Sequence, residues 1–536
     1  MASKDRKDMI KKRVLLVYPE IPPTYWSMRH AISLIGKKGL MPPLGLLTIA
    51  GYFPRDEFEL VLVDMNVRPL RDRDLAKADL VMLSAMLVQK GSFSSVVDSC
   101  GRLGIPVAAG GPYPTACPEE MDGVDYLILD EGEVTLPRFI SDWREGRAAR
   151  IYSDEARPPL DSGPMPRFDL IDPADYANMP LQFSRGCPFN CEFCDIVSMF
   201  GRVPRTKSPG RLILELEELM KIGFRGPVFI VDDNFIGNKA RVKELLGALG
   251  PWQAARGYPF KLSTEASIDL ARDEELLDLM VAANFVMVFL GLETPVESSL
   301  ECAGKRQNLS VDPARAVEAI QKKGIEVSGG FIIGFDADPP GICEEQIRFV
   351  KELAVPMAMV GLLTALPRTA LRDRLEREGR LLERSSGDNT HSASFNFRTK
   401  LPEAGLLEGY FRVLGEIYRP RAYFDRCLDL LGRFPEWRYR RRPGESGSVT
   451  PRNVLYLVRS LVVQGFSRYG AEYFRYLVKA FRISPGLVET FVTLAVQGRH
   501  FFIITRRFLR GRSAALAAAA SVAGGGSPLA YIRGID

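Results

Sequence analysis

The sequence predicts a multidomain α/β protein: an open doubly wound sheet, then a full or partial (β/α) barrel of the TIM kind, then an α-helical region. Three observations predict it. Short apolar runs, most of them closed by Gly, Pro or Asp, recur along two separate stretches, with room for crossover helices between them. A segment rich in Pro and Asp parts the two stretches. Beyond about Pro420, aromatic and aliphatic residues recur at helical spacing among arginines. At 536 residues the chain exceeds what one hydrophobic core holds, and its 46% apolar content suits large buried cores.

Residues 1–12 are polar and lack the apolar centre of a signal peptide. Across 13–150 the runs 13–18, 58–64, 80–85, 107–109 and 126–129 have the length of strands buried on both faces of a parallel sheet, hence a doubly wound, Rossmann-like domain. Residues 151–179 read as a linker. In 180–400 the candidate strands are 228–231, 261–265, 286–290, 331–334 and 360–364, with helical stretches such as 212–222 and 274–283 between them, the pattern of a barrel. From about Pro420, within 401–512, the spacing of Val454, Tyr456, Leu457 and Leu461, and of Tyr473, Leu477 and Phe481, predicts two to four amphipathic helices. The tail 513–536 contains Ala/Gly low-complexity sequence at 514–526 and is expected to be disordered. No run reaches about 18 apolar residues, so no transmembrane helix is expected.

The net charge of +5 is unevenly spread: residues 419–512 hold 19 Lys and Arg against 6 Asp and Glu, leaving about −8 for the remainder. Such a basic segment meets an anionic membrane surface, nucleic acid or an acidic partner, or is simply a solvated face. Eight cysteines in so long a chain, three of them within eight residues, are no disulfide framework; they imply a reducing, cytoplasmic compartment and metal binding.

The motif that carries chemistry is Cys187-Pro-Phe-Asn-Cys191-Glu-Phe-Cys194, directly after Gln182-Phe183-Ser184-Arg185-Gly186. Three thiolates at spacings of four and three close on one compact metal centre from a single loop. Iron–sulfur clusters are usually held by four Cys thiolates; a local set of three leaves one iron open to a ligand. The alternatives are a zinc knuckle or three buried free cysteines. A structural zinc site is closed by four ligands, with a second Cys or His pair nearby, whereas the only histidines are His30, His391 and His500.

At these residues the chain resembles the radical S-adenosylmethionine (SAM) superfamily, whose signature is CxxxCxxC with an aromatic before the last Cys. The resemblance implies a 4Fe-4S cluster on Cys187, Cys191 and Cys194, with its open iron chelated by the amino and carboxylate groups of SAM. Reduction then cleaves SAM to a 5′-deoxyadenosyl radical that abstracts hydrogen from the substrate. It also implies that Asp232, Asp233 and Asn234, in Val231-Asp232-Asp233-Asn234-Phe235, lie near the SAM amino group, where a carboxylate pairs with the ammonium. Glu265 and Glu293 end strands, where carboxylates point into the active face of a barrel, and Glu293 resembles the ribose-contacting position. The strand from Gly330 to Gly334 resembles the one whose backbone meets the adenine. Taken alone, each carboxylate is equally a cap or a solvated group.

A doubly wound domain ahead of such a barrel resembles the cobalamin-binding class of this superfamily. Its cofactor-facing loops are matched by Pro43, Leu44 and Gly45, by Ser84 at the end of the third strand, by Gly110, Gly111 and Pro112, and by Glu131 and Gly132. Glycines there let the backbone approach a corrin ring; the alternative is a plain turn after a strand. The DxHxxG motif that ligates cobalt in many cobalamin proteins is absent, so cobalamin is expected without a histidine ligand; the alternative is a vestigial domain. Residues Asp232 to Asn238, Leu366-Pro367 and Gly498-Arg499-His500-Phe501 resemble the subgroup that includes hopanoid C-methylases. Where many relatives read Pro-Gly-Thr, this chain has Pro367-Arg368-Thr369, so Arg368 either contacts an anionic group of the substrate or is a surface arginine.

The expected function is therefore a cobalamin-dependent radical SAM C-methyltransferase acting on an unactivated carbon of a small hydrophobic molecule, lipid or terpenoid-like. Its basic C-terminal helices are expected to make peripheral membrane contact. An external electron donor of the flavodoxin or ferredoxin type is implied, and no nucleic-acid partner is expected. Two alternatives stand beside it: a radical SAM cyclase or ring-rearranging enzyme without methyl transfer, and a non-catalytic cobalamin or SAM sensor.

Overall fold

The computed structural model describes residues 11–382, 385, 387–390, 393–439, 451–512 and 516. The tail expected to be disordered lies outside the described residues apart from residue 516, as do residues 1–10 and His391. The chain forms two compact units and passes between them more than once. The first takes residues up to Pro22, Lys38–Leu181 and Arg205–Arg225; the second takes Pro23–Lys37, Gln182–Pro204 and the chain from Gly226 onward.

The first unit is built on six parallel strands: β1 (Lys12–Tyr18), β2 (Phe58–Asp64), β3 (Leu80–Ser84), β4 (Val107–Gly110), β5 (Tyr126–Ile128) and β6 (Ile151–Tyr152). Their spatial order is β2-β1-β3-β4-β5-β6. The chain steps to one side of β1 and then runs to the other, so the sheet is doubly wound with its switch point between β1 and β3. Successive residues of β1 face opposite layers. Leu15 and Val17 pack with Val81, Leu83, Phe93 and Val96, while Val14 and Leu16 pack with Leu80, Met82, Leu136 and Phe139. Continuous apolar runs reflect this burial on both faces. Strand β6 opens the segment whose composition reads as a linker: two residues carry no periodicity, and they become a strand only by pairing with Leu127 and Ile128.

The second unit carries five parallel strands in chain order: β7 (Gly226–Ile230), β8 (Phe260–Ala266), β9 (Phe285–Glu293), β10 (Glu326–Ile333) and β11 (Ala358–Leu362). The helices Lys239–Ala255, Glu274–Ala282, Pro313–Lys322 and Ile342–Glu352 form the crossovers. Strand β11 does not pair with β7 among the described residues, so the barrel is partial. In β8, Phe260, Leu262, Thr264 and Ala266 are buried, whereas Lys261, Ser263 and Glu265 on the other face are only partly so. The register continues that face across the sheet as two rungs, Glu265–Phe289–Ser328 and Ser263–Met287–Glu326.

The helices Glu403–Ile417, Pro420–Arg433, Pro451–Gly465, Gly470–Ile483 and Val488–Arg510 complete the second unit. One helical span, Pro485–Arg510, is long and apolar enough to cross a membrane, with mean hydropathy 1.3, but 56% of that window is buried inside the unit. It serves as a core helix: His500 and Phe501 are fully buried against the Pro23–Lys37 segment. The His500 Nδ1 accepts the His30 N–H (3.4 Å), which puts the ring proton on Nε2, 3.1 Å from the carbonyls of Thr24 and Tyr25.

Arg426 is the largest fully buried side chain among the described residues, and carbonyls rather than a carboxylate receive it: Val355 (2.9 Å) and Ile417 (2.6 Å), with Tyr418 and Tyr423 flanking the guanidinium. Arg426→Ala would leave those carbonyls unsatisfied, and the expected loss is about 2–4 kcal/mol. Thermal and denaturant unfolding of the full chain measures it.

Candidate active site

Cys187, Cys191 and Cys194 lie on the loop Gln182–Pro204 and are partly buried. Two sets of interactions hold this loop. From the end of β7, Asp232 accepts the N–H groups of Phe183 and Ser184 (2.8 Å each) and the Ser184 hydroxyl (2.7 Å), and Asp233 accepts the Gly186 N–H (2.9 Å). Asn234 directs its amide at the Cys187 sulfur (3.9 Å) and bonds Ser267 (3.2 Å). The three residues read as neighbours of an ammonium are thus brought together, with much of their hydrogen-bonding capacity spent on residues 183–187. Burial pushes the Asp232 carboxyl up to about 7, against the pull of the Ser184 and Phe183 donors.

From the other side the loop is held at Glu192, between the second and third cysteines. Its N–H donates to the Ala303 carbonyl (2.9 Å) and its carbonyl accepts the Leu371 N–H (2.8 Å). Arg374 grips its carboxylate with two donors (3.0 and 2.9 Å) and bonds Asp336 (2.8 Å), which in turn holds Arg380 (2.6 Å). Gln307 aims its amide at the Cys191 sulfur (3.6 Å). A single zinc ion, with Zn–S of about 2.3 Å, would draw its thiolates to about 3.8 Å apart. This trio is not among the ligand groups that converge within 4.8 Å in the described residues. Burial pushes the Cys194 thiol up to about 12 and raises Cys187 as well. The donor set fits a multi-iron cluster better than one ion.

Glu265 projects from β8 onto the partly buried face, and its carboxylate makes no hydrogen bond among the described residues. Burial, then Asp233 and Asp232, push it up to about 7. Beside it on that face stands Phe289, whose ring lies 5.3 Å from Trp26. Glu293 ends β9 at a register shift, with φ +60°, and its carboxylate pairs with Lys305 (2.7 Å) in a buried contact. Burial alone would lower the Lys305 ammonium; Glu293 and the Cys191 thiol outweigh it and hold it above its usual value. Gly330 lies against the Phe289 ring, where a Cβ would sit 3.2 Å from it. Gly334 has φ +107° and would place a Cβ 2.4 Å from Phe395, so only glycine fits; its N–H donates to Asp338 (2.9 Å). Arg368 is exposed with φ +60°, a conformation that favours glycine, and Thr369 beside it caps the helix Ala370–Arg377.

In the first unit, Ser84, Gly110–Gly111 and Glu131–Gly132 follow one another at the carboxyl ends of β3, β4 and β5, the edge where open α/β sheets bind ligands. Gly111 has φ +87°, and a Cβ there would meet the Ser84 hydroxyl at 2.5 Å, so the loop after β4 passes flush with β3. Pro112 starts the helix Pro112–Ala116 and is exposed. Pro43 precedes the helix Leu44–Ile49, where Gly45 is exposed with nothing within 4 Å of a Cβ. That helix reaches Gly132, whose Cβ would lie 3.4 Å from Ile49. The Glu131 carboxylate is already paired with the Arg205 guanidinium, which also bonds the Pro158 carbonyl (2.8 Å). This edge offers glycine-lined backbone and no histidine, which fits a corrin held without a protein imidazole on cobalt.

Sequence reasoning missed Lys305, Gln307, Asp338, and the pair Glu192–Arg374. Lys305, Gln307, Asp338 and Arg374 sit in no motif; Glu192 stands inside the cysteine motif, but Arg374 is 182 positions away and the two meet only through the fold.

Family models match three stretches: a B12 binding domain over residues 35–140, the radical SAM superfamily over 181–350, and a domain of unknown function (DUF4070) over 369–514. The chain is 42% identical to an uncharacterized methyltransferase of Synechocystis sp. (strain PCC 6803), covering 91% of each chain. It is 32% identical to the hopanoid C-2 methylase of Rhodopseudomonas palustris (strain TIE-1), over 94% of this chain and 95% of that one. Among solved structures, the cobalamin-dependent SAM radical enzyme OxsB superposes with TM-score 0.59 at 16% identity, covering 96% of this chain and 84% of that one. The radical SAM methyltransferase TsrM of Kitasatospora setae superposes with TM-score 0.57 at 16% identity, covering 89% and 100%. At such identities these two speak for the fold.

The Asp336 clamp makes a pH prediction. Burial raises its carboxyl, but Arg380 and Arg374 outweigh burial and hold it at about 2. Because the folded value lies below the ordinary one of 3.8, its contribution to stability is complete above about pH 4 and is lost as pH falls towards 2. Asp336→Asn should lower stability at neutral pH and flatten the acid limb between about pH 4 and 2, read from unfolding midpoints across that range.

Proposed function

The chain belongs to the radical SAM enzymes that carry a cobalamin-binding domain, and from that premise we propose that it is a C-methyltransferase acting on an unactivated carbon of a hydrophobic, terpenoid-like lipid. The observation that carries the reading is the 32% identity with a hopanoid C-2 methylase along nearly the whole of both chains, C-terminal helices included. The partly buried barrel face supports it: Met287 and Phe289 share that face with Glu265, and Trp26 packs on Phe289, an apolar lining for an apolar substrate.

When bound, the cluster with SAM supplies the radical that removes a hydrogen atom, and cobalamin carries the methyl group. The chain's own part is to hold and aim. Cys187, Cys191 and Cys194 are proposed to ligate the cluster, while Asn234 and Gln307 donate to the first two sulfurs. Glu265 and Asp233 are proposed to face the SAM ammonium, which would restore the carboxylate form that burial disfavours. The Lys305–Glu293 pair is proposed to set the acceptor for the ribose, and the backbone from Gly330 to Gly334 to border the adenine. Pro43, Leu44, Gly45, Ser84, Gly110, Gly111, Pro112 and Gly132 are proposed to seat the corrin, with Glu131 acting through Arg205 to hold its own loop. Arg368 is proposed as a weak substrate contact, and an external flavodoxin- or ferredoxin-type protein as electron donor.

The test is label transfer. Full-length protein reconstituted without oxygen, given a low-potential reductant, SAM labelled in its methyl group and a hopanoid, should form 5′-deoxyadenosine and place label in the lipid. Cys191→Ala should abolish both. Deoxyadenosine from a converted but unlabelled lipid would favour the ring-rearranging alternative, and no deoxyadenosine at all would favour a sensor.

A further inference from the structure

Two C-terminal helices are built inside out. On Pro451–Gly465 and the turn after it, Val454, Leu455, Val458, Val462 and Phe466 fall at spacings that share one side, and all are exposed, Phe466 at 91%. On Gly470–Ile483, Phe474, Val478 and Phe481 share a side and are each about half exposed. What the two helices bury between them is polar. The Ser460 and Tyr473 hydroxyls meet at 2.9 Å, Gln464 donates to Ser460 (2.8 Å), and the Tyr469 hydroxyl donates to Gln464 (3.3 Å). Ser460, Gln464 and Tyr473 are fully buried. A helix pair that faces water alone arranges these residues the other way round.

Charge says what covers the apolar side. Between residues 451 and 484 the sequence has Arg452, Arg459, Arg468, Arg475, Lys479 and Arg482 against the single acid Glu472, which is paired with Arg475 (2.8 Å). Arg440-Arg441-Arg442 precede them in the sequence. An apolar groove of about 330 Å³ lined by Leu457, Leu477, Val478, Phe481, Arg482 and Phe491 lies on the same helices. Exposed aliphatic and aromatic side chains bordered by cations match an acyl layer beneath anionic headgroups.

We infer that this helical hairpin is a docking surface for an anionic lipid bilayer, with Phe466, Val462, Phe474 and Val478 entering the acyl layer and Lys479 and Arg482 meeting the phosphates. The inference adds a location and a headgroup chemistry to the lipid-substrate reading on which it rests, and vesicle binding is measured without turnover, so the two fail separately.

Co-sedimentation of the full chain with vesicles of phosphatidylcholine, with and without phosphatidylglycerol, is the experiment. The wild type should bind, more tightly when phosphatidylglycerol is present and less tightly as salt rises. Phe466→Asp with Val478→Asp should weaken binding about tenfold or more while leaving the melting curve and deoxyadenosine formation in vesicle-free solution unchanged. Lys479→Glu with Arg482→Glu should remove the preference for phosphatidylglycerol. Wild-type protein that stays in the supernatant at low salt, or a double Asp variant that binds as well as wild type, would overturn the inference. So would a dimer seen by light scattering that Phe466→Asp dissociates, in protein that ignores vesicles. Lipid labelling without vesicle binding would overturn the docking surface alone; vesicle binding without labelling would overturn the enzymatic reading alone.

Discussion

Three thiols on one irregular loop cannot aim themselves at a common centre; something else must fix the backbone that carries them. Here carboxylates do it. Asp232 and Asp233 take the amides that lead into Cys187, and Arg374 takes the Glu192 carboxylate between Cys191 and Cys194. A carboxylate accepting backbone N–H groups gives a short, directional restraint, and a bidentate arginine adds a planar one. Because Asp232 is wholly buried, these bonds are made away from water, where losing one partner leaves an orphaned charge. The remainder of the site hangs on that loop: Lys305 sits beside the thiols and holds Glu293, so the barrel strand that ends there is tied to the same centre.

The first unit builds its ligand edge chiefly from backbone. That edge is made by strands that end level with one another, Ser84 beside Gly110 and Gly110 beside Ile128, and by a glycine, Gly111, whose missing side chain leaves room for the Ser84 hydroxyl. No histidine falls in this unit, so a corrin seated there would take no imidazole from it. The ion pair of Glu131 with Arg205 on this edge is internal to the unit. It ties the start of the Arg205–Arg225 stretch to the loop after β5, both within the first unit.

How much of this was legible in the sequence depended on range. Strands buried on both faces were readable because burial writes itself as a continuous apolar run, and the cysteine motif because three ligands sit within eight residues. Strand β6 was not, since two residues hold no pattern. Asp232 and Glu265 were both picked out as strand-end carboxylates, yet nothing local separates the one that clamps backbone from the one whose carboxylate is unpaired; that distinction is made by Phe183 and Ser184, nearly fifty residues upstream. The departure at Arg368 becomes intelligible once φ is known, because a left-handed residue is where glycine is favoured. The C-terminal helices were readable as amphipathic, but not which face turns inward: Ser460, Gln464 and Tyr473 satisfy one another inside, and only the fold reveals that this leaves the valines and phenylalanines outside.

All of the proposed chemistry presupposes that the clamped loop assembles an iron–sulfur cubane and that the first unit retains cobalamin. Iron, sulfide, cobalt and zinc analysis of the full chain purified without oxygen, with electron paramagnetic resonance of the reduced protein, tests this most directly. About four irons and one cobalt per chain are expected. Replacing all three cysteines by alanine should remove the iron and its signal while cobalt stays bound. Zinc taken up in place of iron, or a cluster that survives loss of the three thiols, would contradict the account.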